Sequence, residues 1–383
     1  MIHEHLQEPE KERLRTDLAS WEIGPYHGAL PAPMQLQLTL DGEVIVSARV
    51  ETGFLHRGLE KTFELHLWQS APAYADHLDP EGSVFGELAL CMAVEEIARI
   101  DVPERAKRIR VILSELTRVT AHMGYVARIA RSVGSDTMVH YVLRDREKVL
   151  DLFELLSGAR FSVNFLRFGG VQADVTEGFI ERVLEVCDLI RFRLKEYNDL
   201  LTFNHAFLKR TVGVGIIPHG RVHHYGITGP NARASGHSLD VRKVAPYSGY
   251  GRVDFEIPMV TPEYGNEGDI HARFLIRLRE IAQSVEILRQ EAEAIPKGDF
   301  SVGPIDKDFV PPAGEAYSRV ESSRGLLGCH VVSDGGRSPR RIQFRPPTFS
   351  LLAAIPELVR GVRIEDLPVL LMSLDLGIAE ADR

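Results

Sequence analysis

Side chains able to do ligand or nucleophilic chemistry are thinly spread along this sequence, and few fall at spacings that define a site. His219-x-x-x-His223 is the spacing that puts two imidazoles on one face of a helix, as in many zinc sites. Pro218 and Gly220 argue for a loop there, and the glutamate that would serve as general base is missing, so no metal site is expected. Cys91, Cys187 and Cys329 lie far apart with no CxxC pair. That spacing excludes a self-contained iron–sulfur or zinc-ribbon site and a disulfide framework, and the three read as small buried hydrophobes in a reducing compartment. Arg337, Arg340, Arg341 and Arg345 form a basic strip, either a solvated strand face or a dock for an acidic partner. There is no Walker A sequence, no GxGxxG opening a helix after a strand and no GxSxG elbow. By generic motif the chain is not a self-sufficient enzyme.

The elements that must position such residues are clearer. The chain has 383 residues, 44% hydrophobic and 26% charged, which is ordinary globular usage with room for a large core. A net charge of −9 argues against nucleic acid as the main partner. No apolar run reaches the roughly 18–20 residues of a membrane span. The charged start MIHEHLQEPEKERLR does not read as a secretory signal, so a cytosolic chain is expected. Residues 1–23 read as a polar arm, helical or frayed. Residues 24–383 read as one domain. Two alternating runs around Asp41-Gly42 predict a β-hairpin over 34–50. A helical bundle follows over 59–294, with helices predicted at 86–100, 105–133, 136–156, 177–201 and 270–294. One stripe of the second carries Ile109, Ile112, Leu113, Leu116, Val119 and Met123. Residues 211–266, rich in Gly, His, Pro and Tyr, read as a long irregular insertion of the kind that carries function or an interface. After a loop over 295–316, short strands at 326–332 and 341–345 and helices near 349–360 and 364–377 form a C-terminal β/helical segment over 316–383. The fold class is α+β, mostly α.

Several blocks, in order, resemble one family. Leu55-His56-Arg57-Gly58-Leu59-Glu60-Lys61 is similar to the signature that follows the N-terminal hairpin in the 49-kDa-type subunit of respiratory complex I, the NADH-quinone oxidoreductase. The same signature marks the large subunits of energy-converting nickel–iron hydrogenases. Ala93-Val94-Glu95, Val102-Pro103-Glu104-Arg105, Arg110 with Glu115-Leu116 and Arg118, and Gly158-Ala159-Arg160 fall where that family has them. So do Gly169-Gly170-Val171, Arg210 to Gly215, Arg233 to Gly236, Asp240-x-Arg242, Val332 to Gly336, Ser373-Leu374-Asp375 and Asp382-Arg383. The resemblance runs from about residue 24 to the last residue.

The resemblance implies a nickel–iron hydrogenase large-subunit-like fold packed against a small [4Fe–4S] subunit (B-like) over a membrane subunit (H-like), with a 30-kDa-type subunit (C-like) beside it. In the hydrogenases two CxxC pairs hold nickel and iron. Here the first falls at Asp79-Pro80-Glu81-Gly82 and the second at Gly377-Ile378-Ala379-Glu380, which cannot supply four soft thiolates. In complex I the same cleft admits a quinone head group. The family's Gly-Pro-Gln-His-Pro-x-x-His-Gly run reads here Gly24-Pro25-Tyr26-His27-Gly28-Ala29-Leu30-Pro31, so the first His is kept as His27 and the second is Pro31. The family's quinone-binding Tyr meets Pro80, and the Asp behind the second His aligns near Val133.

The candidates left for the quinone cavity are His27, Tyr26, His77 and Asp79. His77 and Asp79 put an imidazole and a carboxylate close together as a proton-donating pair, the alternative being polar lining only. Arg57, Arg118 and Arg324 are cluster-side candidates or structural ion-pair partners; Glu60 and Arg160 read as structural. No cofactor is expected on this chain: quinone is substrate and the [4Fe–4S] cluster belongs to the partner. The expected role is a peripheral-arm subunit of a complex-I-like NADH:quinone oxidoreductase, inactive alone, on the cytoplasmic face of the membrane. The alternative is a catalytically silent scaffold in a hydrogenase-related membrane complex without a nickel site.

Overall fold

The computed structural model describes residues 17–259, 267–303 and 309–383. It opens on an antiparallel sheet of β1 (Ala19–Ile23), β2 (Gln35–Asp41) and β3 (Val44–Glu51), in that spatial order. The β2–β3 turn lies where the alternation placed it, with Gly42 at φ 59, a conformation glycine adopts without strain. β2 buries Leu36, Leu38 and Leu40 on one face. The arm differs from expectation. Its residues 1–16 lie outside the described residues, and Ala19–Ile23 pairs with β2, Ala19 opposite Leu40 and Ile23 opposite Leu36. Four of its five residues are exposed, so no buried face marked it as a strand in the sequence.

Helices α1 (Leu59–Leu65), α2 (Ala71–Asp76), α3 (Ser83–Ala98), α4 (Glu104–Ser132) and α5 (Asp136–Ser157) follow. A two-stranded ribbon, β4 (Leu166–Arg167) and β5 (Gly170–Val171), leads to α6 (Phe179–Tyr197), which continues as π-helix over Asn198–Thr202. The expected irregular insertion is more regular than predicted. It lies among α7 (His205–Thr211), α8 (His219–Tyr225), α9 (Gly229–Ala234) and α10 (Val241–Val244), and its residues 260–266 fall outside the described set. His219 and His223 are therefore on a helix and not a loop, because Pro218 occupies the N-cap position, where a missing N–H costs nothing. Their rings pack with His237, at centroid distances of 3.8 Å from His219 and 4.5 Å from His223. Then come α11 (Ile270–Glu293), the sheet β6 (Gly314–Glu321), β7 (Leu326–Ser333) and β8 (Arg341–Arg345), and α12 (Pro347–Leu358), α13 (Leu367–Leu374) and α14 (Ile378–Ala381). β6 begins inside the segment expected to be a loop.

The centre of the molecule is α4, enclosed by α3, α5, α11 and α13. Its predicted apolar stripe is buried, but so are Arg110, Glu115, Arg118 and His122 on its other faces. A helix buried all round by polar partners needs those partners paired, and here they are. Arg110 forks onto Glu95 at 2.5 and 3.0 Å and donates to the carbonyls of Gly170 and Arg167. Glu95 in turn accepts the Gly169 N–H at 2.7 Å. Three of the blocks quoted above thus converge on one ion pair that fastens the β4–β5 ribbon to α3 and α4. α11 starts where Asp269 caps it, accepting the Ala272 N–H at 2.7 Å and the Gly213 N–H at 2.9 Å.

Candidate functional site

Two short segments far apart in sequence meet at the N-terminal end of α3. The first is the turn 77–82. α2 ends at Asp76 because the chain turns at His77, and α3 restarts at Ser83. Gly82 sits close against the Asp79 carboxyl in this turn: a Cβ there would lie 2.5 Å from Asp79 Oδ2. The second segment is 375–380. α13 stops at Asp375, which is left-handed at φ 55, and α14 begins after Gly377. A Cβ on Gly377 would stand 3.2 Å from Arg324 Cδ and Nε. Those are the segments that the resemblance sets against the two hydrogenase cysteine pairs, and they face each other across a guanidinium.

Arg324 comes from the turn between β6 and β7. It is buried, pairs with Asp79, reaches Glu81 at 3.0 Å and donates from Nε to the Asp375 carbonyl at 3.0 Å. Arg128 of α4 closes the other side, with Nη1 on Glu81 at 2.5 Å and Nη2 on Asp375 at 2.7 Å. Arg277 of α11 stands 3.7 Å from Asp375 and over the Tyr125 ring. At the rim, exposed Arg57 donates to the His77 carbonyl at 2.5 Å and the Ala379 carbonyl at 3.2 Å. Glu380 is buried behind, accepting the Thr348 N–H at 3.3 Å, while Thr348 Oγ1 accepts the Gly377 N–H at 3.0 Å.

The electrostatics divide these acids. Burial works against the Asp375 charge, but Arg324, Arg128 and Arg277 outweigh it and hold that carboxyl well below the usual range. Glu81 is likewise lowered, by Arg128 and Arg324 against burial. Asp79 is pushed up, by burial and by Glu81 and Asp375 nearby, with Arg324 opposing. Glu380 is pushed up to about 7, by burial first and the Asp79 charge second, against Arg324 and the Thr348 bonds. Arg324, with four carboxylates around it, keeps its proton. The site therefore combines fixed cations with one acid that gains and loses a proton near neutral pH. Its donor set is carboxylate and guanidinium, with no thiol. Cys91 on α3, Cys187 on α6 and Cys329 on β7 are buried along those elements, so the residues present do not fit a nickel–iron centre.

The structure brings Asp79, Arg324 and Arg57 together and leaves the other candidates apart. His77 and Asp79 do not hydrogen-bond to each other. Two residues apart on the turn, their side chains diverge: Asp79 goes inward onto Arg324, while His77 is exposed with Nδ1 3.4 Å from Ser162 Oγ. Tyr26 is 78% exposed. His27 Nδ1 accepts the Ala29 N–H at 3.2 Å within its own loop. No hydrogen bond, ion pair or ring contact among the described residues joins either to the 77–82 turn. Arg118 lies on the structural side of its two readings. It is fully buried, 3.2 Å from Glu115, and its guanidinium donates to the carbonyls of Glu321 and Ser322. Glu60 holds Arg341, Arg383 and the Phe344 N–H, and Arg160 pairs with acids of α5. In the basic strip, Arg341 and Arg345 are spent inside the molecule, on Glu60 and Glu64 and on the Leu326 and Gly226 carbonyls.

Sequence reasoning did not single out Glu81, Arg128, Asp375 or Glu380 as site residues. The signal for Arg128 is a lone cation in the apolar run Val126-Ala127-Arg128-Ile129-Ala130, and for Glu380 its place at the end of the Gly377–Glu380 segment that the resemblance sets against a hydrogenase cysteine pair.

Comparisons with known proteins cover nearly all of the chain. The family described as respiratory-chain NADH dehydrogenase, 49 Kd subunit, matches residues 132–310 and 300–383. An NADH-quinone oxidoreductase subunit of Desulforamulus reducens is 39% identical over 96% of this chain and 99% of its own length. Its counterpart in Carboxydothermus hydrogenoformans is also 39% identical, over 96% of this chain and all of its own. A chain of the membrane-bound sulfane sulfur reductase, an archaeal respiratory membrane complex, superposes with a TM-score of 0.90 and 34% identity, over 97% of this chain and 100% of that one. Relatives so similar along both full lengths share more than a fold, and the chain belongs to the 49-kDa subunit family of the respiratory-chain NADH dehydrogenases.

Proposed function

We propose that this chain is a peripheral-arm subunit of an NADH:quinone oxidoreductase and forms the quinone-reduction cavity with an adjacent [4Fe–4S] subunit. It has no activity alone and couples electron transfer to ion translocation within the assembled complex. Further partners are a 30-kDa-type subunit and a membrane subunit beneath. Among the described residues no helix is long and apolar enough to cross a membrane, which fits a peripheral position; the side assigned in this reading is the cytoplasmic face. The observation that carries the reading is the Asp79–Arg324–Glu380 constellation.

Reduction of a quinone to a quinol consumes two electrons and two protons. The electrons come from the neighbouring cluster, so this chain's task is to hold the head group and deliver protons. Pro31 and Pro80 stand where the family places its quinone-contacting His and Tyr, and neither carries a proton. Glu380 is loaded and unloaded near neutral pH, Asp79 is raised beside it, and Arg324 and Arg57 supply fixed positive charge for the reduced ring oxygens. His77, exposed on the same turn, is the proton carrier at the mouth, and His27 and Tyr26 line the outer loop.

The test is E380Q and D79N in the assembled membrane complex, comparing NADH oxidation linked to a soluble quinone with NADH oxidation linked to ferricyanide. Quinone-linked turnover falls at least about tenfold, the scale of a lost general acid, while ferricyanide turnover holds. Unchanged quinone turnover in both variants overturns the reading.

A second reading is favoured by the same two prolines together with the sulfane sulfur reductase neighbour. In it the chain is a scaffold without a nickel site in a hydrogenase-related membrane complex whose acceptor is not a quinone. Mass spectrometry of the complex purified with this chain decides between the two. Flavin- and NADH-binding subunits support the first reading, and a complex of cluster and membrane subunits alone supports the second.

A further inference from the structure

Behind the 77–82 turn, α2 and α3 meet at a glycine. A Cβ on Gly86 would lie 2.4 Å from the Ala75 carbonyl oxygen, so only glycine allows the two backbones to come this close. The approach forces together the next residue on each helix, Asp76 and Glu87. Both are completely buried, and their carboxyl groups are within hydrogen-bonding reach of each other.

Each carboxyl spends one oxygen on the loop that follows α5. Asp76 Oδ1 accepts the Asn164 N–H at 3.3 Å and Glu87 Oε2 accepts the Leu166 N–H at 2.7 Å. The remaining oxygens, Asp76 Oδ2 and Glu87 Oε1, are buried with no donor. The charged groups of the surrounding elements do not fill the gap. Arg110 of α4 is committed to Glu95 and the 167 and 170 carbonyls, and Arg167 of β4 to Asn164, the Leu166 carbonyl and Gln172. Cys91, one turn along α3, is a thiol whose ionisation burial suppresses. Burial first, and Asp76 second, push Glu87 well above the usual carboxylate range, against Arg167 and the Leu166 N–H. Two carboxylates in contact in a buried site cannot both ionise.

We propose that Asp76 and Glu87 share one proton at neutral pH, held between Asp76 Oδ2 and Glu87 Oε1, and that this proton latches loop 161–166 against the His77 edge of the cleft. The loop needs a latch. Ser162 and Asn164 are both left-handed, at φ 51 and 42, without being glycine, and such conformations persist only where surrounding contacts impose them. Those contacts come from adjacent residues on the turn: Asp76 holds the Asn164 amide, and the His77 ring meets Ser162 Oγ. Loss of the proton sets two like charges in contact and drives the carboxyls, and the amides they hold, apart. Asp76 and Glu87 are positioning residues. Their link to the cleft rests on the functional reading above, whereas the shared proton is read independently of any acceptor.

The test is hydrogen exchange of the Asn164 and Leu166 amides in the purified complex across pH, corrected for intrinsic exchange. In the wild type the corrected opening of these amides rises about tenfold per pH unit once the pair ionises. In E87Q, whose amide donates permanently to Asp76 Oδ2, the same amides keep a pH-independent protection. If E87Q does not assemble, D76N makes the same comparison with the donor on the other side. A wild-type profile as flat as that of the variant, or a variant profile as steep as that of the wild type, overturns the shared proton. Loss of quinone turnover in E87Q with exchange unchanged overturns the latch and leaves the functional reading standing.

Discussion

Arg57 Nη2 donates to the His77 carbonyl at 2.5 Å, and through Nη1 the same guanidinium reaches Ala379 at 3.2 Å. The exposed-side Arg57 and the buried Arg324 thus span one gap, between the turn after α2 and the start of α14. Burial lowers the Arg57 pKa and the Asp382 charge raises it, and the group stays cationic at any physiological pH. Lysine has a single nitrogen on a flexible stem and cannot hold two carbonyls in a planar fork. R57K is expected to cost about 1–3 kcal/mol in stability and to lower quinone-linked turnover while sparing ferricyanide turnover. Thermal unfolding and the two assays read this out. Equal losses in both assays would mean that Arg57 only holds the fold.

Glu380 gives the site its pH dependence, and the sign follows from its environment. Its carboxyl binds a proton more tightly folded, at about 7, than in the unfolded chain, where the ordinary value is 4.5. The stabilisation is complete below the ordinary value and is lost as pH climbs to about 7. The span corresponds to roughly 3 kcal/mol. E380Q removes this slope, because glutamine keeps the Thr348 bond and does not ionise. Denaturant midpoints measured across that pH window should decline in the wild type and less so in the variant. Parallel slopes would place the titration elsewhere.

The long elements were legible in the sequence because they obey one period over many turns. The bounds of α4 and α5 fall within a residue or two of the periodic pattern. The hairpin was legible because Asp41-Gly42 interrupts two alternating runs. β1 was not, since an exposed strand carries no buried face, and β6 was hidden by the Pro-rich segment before it. The site was legible only in outline. The resemblance pointed to the two segments set against the hydrogenase cysteine pairs, but that Arg324 joins them depends on a turn between two strands some 245 residues from Asp79, and no local pattern encodes that distance. His77 and Asp79 misled for a local reason. Positions two apart on a turn say nothing about which side chain faces the core, and here Asp79 is buried and His77 exposed.

The network around Glu115 predicts a stability effect with no counterpart in turnover chemistry. Glu115 receives Arg242 at 3.1 Å, Tyr250 OH at 2.6 Å and Ser284 Oγ at 2.6 Å, with Arg118 3.2 Å away. Burial opposes its charge, and Arg118 and Arg242 outweigh that and lower its pKa. E115A takes the paired carboxylate from fully buried Arg118, which keeps only the Glu321 and Ser322 carbonyls, and leaves Arg242 with Asp240 alone; breaking such a buried pair costs on the order of 3–5 kcal/mol, and the complex should lose this subunit on mild heating. E115Q retains the hydroxyl contacts and loses less. Because the folded pKa lies below the unfolded one, this stabilisation is present above the ordinary carboxylate range and disappears as pH falls through it. The gap between wild type and E115Q should therefore narrow in acid, as chemical denaturation at a series of pH values will report.

The last contact to weigh is the one that holds Arg57 in place. Asp382 accepts the Gly53 N–H at 2.8 Å and the Leu55 N–H at 2.9 Å, its carbonyl meets His56 Nδ1 at 2.7 Å, and Arg383 donates to Glu60 at 2.9 Å. The C-terminal residues thus clamp the loop from which Arg57 extends. D382A leaves two backbone N–H groups without their acceptor, and each such loss costs on the order of 1–3 kcal/mol where the groups are shielded from water. The loop should become the first site of limited proteolysis, and quinone-linked turnover should fall toward the R57K level. If Asp382 acts through Arg57, the double variant R57K/D382A is no slower than the worse single variant, a non-additivity of the kind expected for residues in one network. Full additivity would separate the two residues and assign the clamp to the fold alone.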